Sequence, residues 1–103
     1  MATVIVTEDN FDKEVINSDV PVLVDFWLAR SKQCTDVNRA LESISSRLGQ
    51  RVKIALVNVN DDPDLAYRYK INSVPTMLMF RRGKVTDSIR GALSEKQIER
   101  LLN

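Results

Sequence analysis

The spacing of apolar residues along the chain changes several times, and each change marks an element. The β-branched run Thr3–Val6 predicts a short strand. Thr7 then stands in an N-cap position ahead of Glu8 and Asp9. With Phe11 and Val15 four apart, this predicts a helix from about residue 8 to about residue 17. Val22–Leu28 is almost continuously apolar, the pattern of a central strand covered on both faces. From Lys32 to Leu48 the period becomes helical: Val37, Leu41, Ile44 and Leu48 recur at spacings of three and four, and Gly49 follows as a stop. Val52–Val59 predicts a second buried strand. Asp61 or Asp62 then caps a short helix that has Pro63 in its first turn and runs to about Tyr69. Thr76–Phe80 and Lys84–Ile89 predict strands joined by a glycine-containing hairpin, Arg81-Arg82-Gly83. Ser94 and Gln97 have the spacing of a capping box for a last helix reaching about Leu102, with Ile98, Leu101 and Leu102 turned inward.

This β-α-β-α-β-α-β-β-α order predicts an α/β fold with helices on both faces of a mixed sheet of about five strands. The earlier strands are joined by helices and should run parallel, and the last two form the hairpin. The 103 residues are enough for one domain, expected over 1–103, to bury a core without staples.

Composition narrows the chemistry. The formal net charge is +1, which offers no electrostatic reason to expect a nucleic-acid or membrane partner. The single cysteine excludes an internal disulfide. The absence of histidine removes imidazole acid–base chemistry and any Ser-His-Asp triad. With one soft ligand, no metal site is expected, and no cofactor. The opening stretch MATVIVTEDN does not read as a signal peptide, and VPVLVDFWLA is too short to span a bilayer and is broken by Asp25, so the expected compartment is the cytoplasm.

Four places carry possible chemistry. Asp25 lies among Val22, Leu23, Val24 and Phe26; it is either buried with a raised pKa, or held at the wet end of its strand or against a backbone amide. Cys34 is either a small buried hydrophobe or a thiol in the first turn of the Lys32–Leu48 helix, where amide hydrogens and the helix dipole favour a thiolate. A charged Asp25 nearby would oppose that effect. Ser31 is in the first place a helix N-cap, because no histidine is present to make it a nucleophile. Pro75, after Val74, is either an ordinary strand-edge proline or a cis-proline that presents the preceding backbone to a ligand.

Together these residues resemble the thioredoxin family over essentially the whole chain. VLVDFW resembles the strand leading into the family's active site, NSVPT its cis-proline loop, FRRGKV the hairpin that follows, and RGALSEKQIERLL the glycine turn and closing helix. The resemblance implies a thioredoxin fold: a central mixed five-stranded sheet flanked by four helices. It also implies where the family's Trp-Cys-Gly-Pro-Cys motif would fall. Aligned through Trp27, Arg30 takes the place of the second tryptophan, Ser31 that of the nucleophilic cysteine, Lys32-Gln33 that of Gly-Pro, and Cys34 keeps the resolving position. Arg39 replaces a helix proline, and Leu56 replaces the lysine that usually neighbours the buried aspartate. The family reduces disulfides by thiolate attack followed by resolution with the second thiol. A serine hydroxyl is not ionised at neutral pH, so efficient reductase turnover is not expected.

The segment WLARSKQC further resembles the thioredoxin-like domains of bacterial chaperone-like proteins of the YbbN/CnoX type, whose helical-repeat extension is not contained in these residues. That likeness implies protein or peptide clients, held along a groove by Trp27, Arg30, Ser73, Val74, Pro75, Gly91 and Ala92, or through a mixed disulfide at Cys34. The competing reading is a thiol-disulfide oxidoreductase whose nucleophilic cysteine has been replaced by mutation or engineering. A third is a stable scaffold without chemistry.

Overall fold

A computed structural model describes residues 3–91 and 93–102. Five strands form one sheet: β1 (Thr3–Ile5), β2 (Val22–Trp27), β3 (Lys53–Asn58), β4 (Thr76–Arg81) and β5 (Lys84–Arg90), in the order β1-β3-β2-β4-β5. Strands β1 and β2 run parallel to β3, while β4 is antiparallel to β2 and β5 antiparallel to β4. The mixed sheet and the parallel opening strands match the expectation. Between the strands lie a π-helical turn (Asp12–Ile16) and the helices α1 (Lys32–Leu48) and α2 (Pro63–Arg68), and α3 (Glu95–Leu102) follows the last strand.

The unbroken apolarity of β2 has a simple cause: hydrogen-bonded neighbours lie on both sides and packed layers on both faces. Val22, Val24 and Phe26 point to one face, where they meet Val6, Phe11, Val15, Leu65, Leu78 and Phe80. Phe11, Tyr69 and Phe80 form an aromatic triangle there with centroids 5.4–5.8 Å apart, two of the pairs edge-on. Leu23 points to the opposite face, against Met77, Met79, Ile54 and the α1 stripe of Val37, Leu41 and Ile44, with Ile98 from α3 closing the layer. The expected capping box is present: Gln97 N donates to Ser94 Oγ (3.3 Å) and Ser94 N to Gln97 Oε1 (2.9 Å).

Two local expectations are corrected. The first helix does not start after Thr7. Thr7 Oγ1 accepts instead from Asp9 N (3.2 Å), and Asn10 Oδ1 accepts from Thr7 N (2.7 Å), so short polar side chains hold a turn in place of the helix ladder. Helical backbone begins only at Phe11 and closes with Asn17 N donating to Asp12 O (2.9 Å), a π-type bond. Asp62 stands at the start of α2, but its carboxylate does not cap that helix. It accepts from Glu8 N (3.1 Å) and ties α2 to the turn after β1.

The hairpin turn is also tighter than expected. β4 runs on through Arg81, leaving Arg82 and Gly83 as the loop, both at positive φ (53° and 79°), as a type I′ turn requires. A Cβ on Gly83 would sit 3.0 Å from Ile16 O, so this turn is packed against the end of the π-helical segment.

Candidate functional site

The C-terminal ends of the parallel strands β2 and β3 meet the start of α1, a placement at which α/β sheets commonly bind ligands. The chain leaves β2 at Trp27 and turns through Leu28–Arg30, with Ser31 N donating to Leu28 O (3.3 Å). Ser31 is the N-cap of α1. Its Oγ accepts from Cys34 N (3.2 Å), and its carbonyl accepts from Thr35 N (3.0 Å) and Thr35 Oγ1 (3.1 Å). The hydroxyl therefore does structural capping work, as its position in the sequence implied.

Cys34 lies in the first turn of α1 and is fully buried (0% exposed). Its Sγ accepts from Leu28 N at 3.5 Å. The thiol thus unites both sequence readings: it sits at a helix start, and it is packed as a core residue. Having no exposed surface, the thiol meets a reagent only when the structure around it opens.

Asp25 is fully buried (0% exposed), on the α1 side of the sheet. Its register partners are Leu56 on β3 and Met77 on β4, neither of which offers a donor. The wet strand end and the backbone-amide partner, the alternatives left open by sequence, are not what the fold provides. The carboxyl Oδ1 has no hydrogen-bond partner. Burial pushes the pKa up to about 7. Oδ2 does have a partner. The half-buried Asn38 side-chain amide lies against Asp25 Oδ2 and Cys34 O; assigned from this hydrogen-bond environment, with its nitrogen facing the two acceptors, it donates to Asp25 Oδ2 and to Cys34 O (3.3 Å).

The Val74–Pro75 bond is cis. Pro75 is buried, and Pro75 O accepts from Gly91 N (2.9 Å), which fastens the glycine turn to the proline loop. Thr76 Oγ1 donates to Ser73 O (2.6 Å) across the same loop. Because Thr76 pairs with Phe26, the loop meets the sheet at the Trp27 end of β2. Ser73 is exposed, and Trp27, Val74 and Gly91 are half-buried. Ala92 lies outside the described residues.

Arg30 and Ser31 line a cleft of about 470 Å³ together with Leu28, Ala29, Asn58 and Asn60. Ser73, Val74 and Pro75 are not among its walls, so the expected groove residues fall into two groups. Asn38, Asn58 and Asn60 were missed by sequence reasoning. Asn38 had a signal: it stands four residues after Cys34, on the edge of the buried α1 stripe. Asn58 and Asn60 had none, being polar residues at a strand end. Among the described residues no three His, Cys, Asp or Glu side chains gather as metal ligands, and no helix is long and apolar enough to cross a membrane.

The thioredoxin family model matches residues 2–103. The chain belongs to the thioredoxin family. It is 37% identical over 98 residues to a thioredoxin of Porphyra purpurea, covering 95% of this chain and 92% of that protein. It is 38% identical over 97 residues to thioredoxin 2 of Chlorobaculum tepidum (94% and 89% covered), and 35% identical to thioredoxin 1 of Nostoc sp. (94% and 91% covered). The family and its fold agree with the resemblance drawn from VDFW, SVPT and RGAL.

Proposed function

We propose that this thioredoxin-family chain binds protein or peptide clients without catalysing disulfide turnover, in the manner implied by its likeness to the chaperone-like YbbN/CnoX group, with the cytoplasm as its compartment. One observation carries the reading. The residue at the position of the family's attacking thiol is a serine engaged as the α1 cap, and the one cysteine behind it is buried. A two-thiol exchange needs an exposed thiolate to attack and a second thiol to resolve. The attacking thiolate is missing, and Cys34 at the resolving position is left without a mixed disulfide to resolve. Burial of Cys34 also favours non-covalent holding over a mixed disulfide as the resting mode. Clients would lie against Trp27, Arg30 and the Ser73–Pro75 loop, where an extended segment can pair with the loop backbone.

The test is a pair of assays on the intact chain. In insulin reduction with dithiothreitol, the chain should not exceed the reagent's own rate. In aggregation of an unfolding client it should slow turbidity at near-stoichiometric ratio, and Cys34→Ala should do so equally well. Catalytic insulin reduction, or no effect on aggregation, would overturn the reading.

A second reading, an oxidoreductase frame that has lost its nucleophile, draws on Asp25, a proton-holding group about 7 in pKa retained on the sheet face beneath α1. It expects Ser31→Cys to restore rapid insulin reduction. A Ser31→Cys chain that stays inactive favours the client-binding reading.

A further inference from the structure

Asp25 has no task in non-covalent client binding, yet the fold keeps its carboxyl fully buried with one oxygen unpartnered. Burying such a group is costly, and what it contacts should show what that cost secures. The strands contribute nothing polar: Leu56 and Met77 stand opposite it. From α1 comes Asn38, which also reaches the Cys34 carbonyl, and neither it nor the two strand partners carries a titratable side chain; the Cys34 thiol of the same turn accepts from Leu28 N. Lys32, Asp36 and Arg39 of the same helix are exposed, and Lys32 is paired with Asp36 at 3.3 Å.

Among the described residues, Asn38 carries the side-chain hydrogen bonds that join β2 to α1 here. With the amide assigned so that its nitrogen faces the two acceptors, that nitrogen donates both to Asp25 Oδ2 and to the carbonyl of Cys34, one helical turn earlier. We propose that Asn38 is a positioning residue: it latches the first turn of α1 to Asp25 on β2 and thereby keeps Cys34 buried. The latch has two ends. At the Cys34 end it supplements the Ser31 cap, the Leu28 amide and the two Thr35 bonds to Ser31 O, which also hold this turn. At the Asp25 end it supplies a donor where β3 and β4 supply none. A donor to an ionised carboxylate is a charge-assisted bond, so the latch favours the ionised form and works against the burial that raises the Asp25 pKa. Removing the amide therefore has two consequences, a looser first turn and a carboxyl that holds its proton to higher pH.

The inference goes beyond the client-binding reading, in which Cys34 takes no part, by naming what controls access to the one thiol. Its test needs no client, so either can fail while the other stands. In the intact chain, iodoacetamide alkylation of Cys34 is timed at fixed pH, and the Asp25 carboxyl is titrated by carbon NMR, for the wild type, Asn38→Ala and Asn38→Leu. Leucine has the same branched outline and is the better helix former but has no donor, so a role in packing or helix propensity alone predicts no loosening for it. The latch predicts alkylation at least tenfold faster in both variants, and an Asp25 midpoint displaced upward. Should the alanine chain fail to fold, the leucine chain decides. Alkylation within twofold of wild type, or an unmoved Asp25 midpoint, would overturn the proposal.

Discussion

The two faces of β2 are built on opposite principles. Val22, Val24 and Phe26 enter a layer that is entirely apolar and includes the aromatic triangle of Phe11, Tyr69 and Phe80. One residue out of phase, Leu23 and Asp25 enter a layer where aliphatic packing gives way to a carboxyl, an amide and a thiol beneath the start of α1. Both sides are equally buried, so exposure does not separate them. What separates them is that the first face responds only to changes of volume, while the second responds to changes of charge.

The largest break in that comparison should come on the apolar face. Phe26→Ala removes a fully buried ring and should lower unfolding free energy by about 3–5 kcal/mol, read from denaturant midpoints, with no dependence on pH. The polar face should answer to pH instead. The folded-state pKa of Asp25 is about 7, against an unfolded carboxyl near 3.9. Between those values the native state holds a proton that the unfolded chain has released, so stability is greatest below the unfolded value and declines as pH rises toward 7. The full loss is on the order of 4 kcal/mol. Asp25→Asn should flatten that decline, measured as melting curves from pH 4 to pH 8; a wild-type chain equally stable across the range would contradict it. The smallest effect sharpens the contrast at the helix start. Ser31→Ala removes the cap to Cys34 N and should cost about 1 kcal/mol, visible as a small midpoint shift without change in its pH profile.

Legibility from sequence divides along the same line. The apolar face could be read directly, because burial on both sides of a strand and the three-to-four spacing of α1 are printed in residue order. The closing capping box was equally legible, since both of its partners lie three residues apart. The π-helical segment was not. Its shortening depends on Thr7, Asp9 and Asn10 satisfying one another while Glu8 is held by Asp62, 54 positions away. Asp25 was legible as an unusual residue but not in its state. Whether a carboxyl in an apolar run meets water, an amide or nothing depends on Leu56, Met77 and Asn38, brought to it by three other elements.

The sequence by itself determined the order of elements, the two buried strands and the α1 stripe, which follow from periodicity and short-range chemistry; the family showed in the resemblance of VDFW, SVPT and RGAL. It also determined that the α1 start carries one serine and one cysteine. Tertiary structure alone decided that the cysteine is sealed behind the Ser31 cap and that Asn38 lies against Asp25. Those outcomes rest on the packing of α1 over β2 between β3 and β4, and that packing exists only once the sheet has closed.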